Sequence, residues 1–113
     1  MTTETLAWQK VCTKADLVAF SGIAALVGEE QVAIFYMPGV DQEIFAVANH
    51  DPFSGANVIA RGIVGDLKGE LVVASPLYKQ HFCLKTGICQ EDESQSIKAW
   101  NIRFNGDDVE IEA

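Results

Sequence analysis

Two short stretches hold the residues whose types and spacing invite a chemical reading. One is Asn49-His50-Asp51-Pro52-Phe53-Ser54-Gly55-Ala56; the other is Ser75-Pro76-Leu77-Tyr78-Lys79, followed by Gln80, His81 and Phe82. His50 beside Asp51 makes a carboxylate–imidazole pair of the kind used for proton transfer. No nucleophile or second acid accompanies it, so His50 reads as an exposed loop histidine. His81, Cys83 and Cys89 form a conceivable metal-ligand set, but their spacing matches no zinc pattern. If Phe82 lies on a strand, His81 and Cys83 share one face and Cys89 falls beyond a turn at Gly87, which favours packing and surface positions over a metal site. Gly55 and Gly62-Ile63-Val64-Gly65 do not make a phosphate cradle, because no helix start and no Lys-Ser/Thr follows; they read as turn glycines.

The elements that must hold these stretches are strands. Proline fixes its own φ and drives the preceding residue out of the helical region, so Asp51 and Ser75 each open a turn. Before the first lies Glu43 to Ala48, before the second Glu70 to Ala74, both apolar and β-branched in character. Ala7 to Cys12 alternates apolar and polar, a first strand that places Trp8 near the core. Thr13 with Asp16 three residues on has the form of a helix N-cap, and Gly22 can stop a helical segment of about two turns that runs to Phe20. Ala24–Val27 and Gln31–Met37, separated by Gly28-Glu29-Glu30, read as a hairpin, and Pro38-Gly39 marks the next turn. Asn57 to Ala60, Ile63 to Leu67 and the strand after Lys68-Gly69 are brief and broken by glycines, a compact subdomain of loops and short strands. Gln90 to Ser96 is a polar surface loop, and Ile97 to Phe104 with Val109 and Ile111 make a last hairpin about Asn105-Gly106, the type I′ dipeptide. Short loops between antiparallel neighbours give an all-β chain.

Length and composition narrow the classes. A chain of 113 residues with 49% apolar content makes one domain, residues 1–113, with a core that needs no disulfide or metal. No apolar run approaches the roughly 20 residues of a membrane helix, and Met1 to Thr5 lacks a signal peptide's basic start, so a cytoplasmic location is expected. The three cysteines, Cys12, Cys83 and Cys89, show no Cys-x-x-Cys spacing and read as reduced thiols. A formal net charge of −8 argues against nucleic acid and anionic membranes as partners. The acidic clusters at Glu29-Glu30, Glu91-Asp92-Glu93 and Asp107-Asp108 with Glu110 and Glu112 read first as a solvated surface, and second as steering toward a basic patch on a partner.

The two proline boxes resemble the paired loops of the Rieske family, which hold a two-iron, two-sulfur cluster through Cys-Pro-His-x-Gly-Ala and Cys-Pro-x-His-Gly. Pro52, Gly55 and Ala56 match the first loop; Pro76, Phe82, Leu84, Thr86 and Gly87 match the second loop with its succeeding strand and turn. The ligand positions differ. Asp51 and Phe53 stand at the first Cys and His, and Ser75 and Tyr78 at the second pair. An aspartate, a serine and two aromatics supply neither the thiolates nor the imidazoles that such a cluster needs. Within that family the strings from Asn49 to Val58, Arg61 to Asp66 and Ser75 to Phe82 resemble the small subunits of bacterial NAD(P)H-dependent nitrite reductases.

The resemblance implies a Rieske-like antiparallel β-sandwich with a loop-rich subdomain at residues 49–90, where the cluster-binding part would lie. It implies no catalytic, cofactor-binding or metal residue in this chain, with Asp51, Phe53, Ser75 and Tyr78 as degenerate ligand positions. The large subunit of nitrite reductase becomes the expected partner, bearing FAD, an iron–sulfur cluster and siroheme and reducing nitrite to ammonium. Phe53 and Tyr78 either fill the volume left by the cluster, the favoured reading, or form a docking surface. Two other classes stay in view. A Rieske-type ferredoxin of an oxygenase system would carry iron, against which the missing ligands count strongly. A free-standing small-molecule-binding β domain would show a ligand-sized pocket in an isolated monomer.

Overall fold

The computed structural model describes residues 7–40, 42–67, 69–77 and 79–113. Tyr78, one of the four ligand-position residues, lies outside them, as does Lys68 of the expected Lys68-Gly69 break. The chain is antiparallel β. Strands β1 (Trp8–Thr13), β2 (Ser21–Val27), β3 (Glu30–Tyr36), β4 (Ile44–Ala48), β8 (Ala99–Asn105) and β9 (Asp108–Glu112) form one six-stranded sheet in the order β1-β9-β8-β4-β3-β2. Strands β5 (Ile63–Leu67), β6 (Glu70–Ala74) and β7 (His81–Cys83) form a second sheet of three.

Side-chain alternation explains why β3 and β4 are apolar at nearly every position. Val32, Ile34, Ile44 and Ala46 point to one side, where they meet Trp100, Val109 and Ile111. Ala33, Phe35, Phe45 and Val47 point to the other, where they meet Ile59, Val73, Phe82, Leu84, Cys89 and Ile97. Both faces of these two strands are thus buried, so the usual polar alternation of an antiparallel strand is lost. The second of these cores joins the small sheet to the large one.

Three local expectations change. The segment after Thr13 is a single 3-10 turn, Lys14–Asp16, and not a two-turn helix. Its cap is as expected, with the Thr13 N–H and hydroxyl both donating to Asp16 Oδ2 at 2.9 and 3.0 Å. Gly22 does not stop it but lies within β2, where an added Cβ would come within 2.6 Å of the Ala60 carbonyl and 2.7 Å of the Phe35 ring. Among the loops and short strands between the boxes, Ile59–Arg61 is a 3-10 turn, since its N–H groups are taken locally and by Asn49. In the last hairpin Asn105 pairs with Asp108, so the turn is centred on Gly106-Asp107, with positive φ at Gly106 (62°) and not at Asp107. That is the glycine position of a type II′ turn, not the I′ turn expected from Asn105-Gly106. Trp8 is half-buried, under the Arg103 guanidinium at 4.1 Å from the ring centroid.

Candidate functional site

The two proline boxes are one turn built twice. In the first, the Asp51 N–H donates to the Ala56 carbonyl at 2.8 Å and the Gly55 N–H to the Asp51 carbonyl at 2.8 Å. In the second, the Ser75 N–H donates to the Gln80 carbonyl at 2.9 Å and the Lys79 N–H to the Ser75 carbonyl at 3.1 Å. Each opening side chain also accepts from the amide two residues on: Asp51 Oδ1 from Phe53 at 2.9 Å, Ser75 Oγ from Leu77 at 3.4 Å. The fifth residue of each turn has positive φ, 77° at Gly55 and 65° at Lys79. Glycine adopts that conformation without strain, whereas a lysine does so against the clash of its Cβ.

The first residues of the two turns touch. The Ser75 hydroxyl donates to Asp51 Oδ2 at 2.5 Å, with Asp51 0% and Ser75 1% exposed. A distance this short is that of a hydroxyl bonded to a charged carboxylate. Burial pushes the Asp51 carboxyl up, but the hydrogen bonds from Ser75, Phe53 and Ser54 outweigh it and hold its pKa below the ordinary aspartate value. No charged side chain contributes to that balance. Asp51 is therefore a buried anion at neutral pH, satisfied by neutral donors.

The flanks are fastened as well. Asn49, 3% exposed, donates through Nδ2 to Gln31 Oε1 at 3.0 Å and accepts through Oδ1 from the Ala60 N–H at 2.7 Å. His50 is exposed, its Nδ1 3.2 Å from Asn57 Oδ1, and no hydrogen bond joins its ring to Asp51. On the other side Glu91 accepts from the His81 N–H and meets His81 Nδ1, both at 2.7 Å. Cys83 and Cys89 are both buried, Cys89 in the core between the sheets. Among the described residues no group of three or more His, Cys, Asp or Glu is placed to hold a metal ion. Phe53 is half-buried against that same core.

Of the two aromatics expected to fill the cluster's volume, Phe53 lies against the core and Tyr78 is outside the described residues. Among the described residues the direct link between the two boxes is Asp51 with Ser75, a pairing that no local pattern announces. The contribution of Asn49 was missed, and only its place before a proline box marked it.

Residues 7–112 match the family of Rieske-like 2Fe-2S domains. The nitrite reductase (NADH) small subunit of Salmonella typhimurium is 44% identical over 104 residues, covering 92% of this chain and 95% of that one. The chain belongs to the nitrite reductase small-subunit family. A crystal structure described as a nitrite reductase NADPH small subunit shares 46% identity and superposes with a TM-score of 0.89, covering 96% of this chain and all of that one. The nitrite reductase NAD(P)H large subunit of Klebsiella oxytoca holds a segment 36% identical over 102 residues, which covers 90% of this chain and 10% of that much longer one.

The wider family's name implies a two-iron, two-sulfur cluster, and the residues at the two boxes of this chain do not fit one. Asp51 and Ser75, which by resemblance stand at the first-ligand positions, offer hard oxygen atoms, a carboxylate and a hydroxyl, already bonded to each other at 2.5 Å. Phe53 offers a hydrocarbon ring, and Tyr78 a phenol by its identity. Iron–sulfur clusters are held by thiolates, with imidazoles on one iron in the Rieske type.

Proposed function

We propose that this chain is the small subunit of a cytoplasmic NAD(P)H-dependent nitrite reductase and that it acts by contact with the large subunit rather than by carrying electrons. The observation that carries the second half is the buried Asp51–Ser75 bond, which joins the two boxes that resemble the cluster-holding loops of a Rieske protein. Reduction of nitrite to ammonium is a multi-electron process, and among the described residues no group of His, Cys, Asp or Glu is placed to hold a metal centre that would relay electrons. FAD, an iron–sulfur cluster and siroheme are assigned to the large subunit. What remains for the small one is to assemble, stabilise or shape its partner.

The Klebsiella oxytoca chain supports contact as the mode of action. There a domain similar to this one is part of a chain named as the large subunit, so the two functions share a polypeptide. Separate chains that do the same work are expected to be held together by a surface. The test is to tag the full-length chain in its native host, recover it, identify its companion and assay the tagged chain for iron. Recovery with a nitrite reductase large subunit, and no iron or sulfide in the small chain, is expected. Recovery with an oxygenase component, or stoichiometric iron in the small chain, would overturn the proposal.

A further inference from the structure

We infer that the Asp51–Ser75 hydrogen bond is the clip of the two loops, doing with two oxygen atoms the mechanical work that metal–ligand bonds do in a cluster-bearing relative. The inference does not depend on which large chain the small subunit meets. It rests on three features of the molecule. The two residues open two turns of the same backbone pattern, so their side chains leave equivalent points. They are 24 positions apart in sequence, and their bond joins box to box directly. Both are sealed from water, while the tips they hold project outward, with Pro52 and Lys79 exposed and Leu77 52% exposed.

Ligand bonds that close two loops around a metal contribute folding free energy and fix the loops relative to each other. A hydrogen bond to a buried carboxylate can do the same because breaking it is so uneven. The hydroxyl loses one partner, but the carboxylate is left charged, dry and short of a donor. Each carboxylate oxygen also has its own duty: Oδ1 closes the first turn on Phe53, and Oδ2 reaches across to the second. Opening either loop therefore removes a partner from the other. The loops are coupled, and the surface formed by Pro52, Leu77 and Lys79 is presented as a unit.

The test is amide hydrogen exchange on the full-length chain, read at Phe53, Gly55, Leu77 and Lys79. The variants are Asp51→Ala, Ser75→Ala, the two together, and Ser75→Thr. Either single alanine is expected to speed exchange in both loops, by about 10- to 100-fold, the range set by one hydrogen bond to a charged group. The double variant should exchange no faster than the faster single one, and Ser75→Thr, which keeps the hydroxyl, should stay near wild type. Acceleration confined to the loop that carries the substitution, or additive effects in the double variant, would overturn the clip. Should Asp51→Ala fail to fold, the carboxyl carbon of Asp51 decides by NMR titration. It should titrate below the ordinary aspartate range in the wild type and higher in Ser75→Ala; equal titration in the two would refute the bond.

Discussion

Phe53 meets Phe82 across the gap between the first box and β7, ring centroids 6.2 Å apart and planes tilted by 45°. Phe82 is fully buried and Phe53 half-buried, so the contact fastens the loop to the core from its edge. A fully buried Phe→Ala costs about 3 to 5 kcal/mol, and partial exposure reduces this for Phe53→Ala to about half. Urea unfolding should show that loss. Unchanged stability with weakened large-subunit binding would assign Phe53 to docking instead.

Acid should weaken the fold through Asp51. Its folded pKa lies below the unfolded value near 3.8, so the stability it contributes is present above that value and is lost as pH falls through the folded one. Unfolding midpoints measured from pH 6 downward should be flat to about pH 4 and then drop. In Ser75→Ala burial acts with one fewer opposing hydrogen bond, so the folded pKa moves up toward or past the unfolded one and the drop due to Asp51 should shrink. A variant whose acid profile matches the wild type would contradict this.

Gly87 permits a crossing that no other residue allows. It has φ +79°, its carbonyl accepts from the Ile97 N–H at 2.8 Å, and a Cβ would overlap the Ile97 carbonyl. Gly87→Ala should cost more than about 3 kcal/mol, beyond an ordinary surface change, or prevent folding. A melting temperature within a few degrees of wild type would show that the loop from Ile88 to Ile97 can move aside.

Much of this architecture was legible in the residues. The strands showed in their flanking turns, and the two boxes in their prolines, because both signals are local. The limits are equally physical. Thr13 and Asp16 announced a cap, but the path of the chain beyond Asp16 is set by its return to β3, where the Phe20 N–H bonds the Tyr36 carbonyl. Gly22 looked like a stop because a glycine's steric role against Phe35 and Ala60 depends on partners distant in sequence. Asp51, Phe53, Ser75 and Tyr78 are degenerate ligand positions by resemblance alone. That Asp51 and Ser75 bond each other was not legible, since nothing local brings the two together.

Charge should act on association rather than on the fold. The chain carries −8, and exposed charges are screened beyond about 8 Å at physiological ionic strength. If the acidic surface faces a basic patch on the large subunit, the association rate should fall as salt rises while the dissociation rate changes little. Surface plasmon resonance across a salt series measures both. A salt-insensitive association rate would leave the charge a role in solubility alone.

The most direct test of a contact-only small subunit is to titrate the full-length, chelator-treated chain into its large subunit and follow nitrite-dependent NADH oxidation. The rate should rise to a plateau at stoichiometric small subunit with no iron in the added chain. A rise that appears only with iron and sulfide bound to this chain, in proportion to its iron content, would contradict the proposed role.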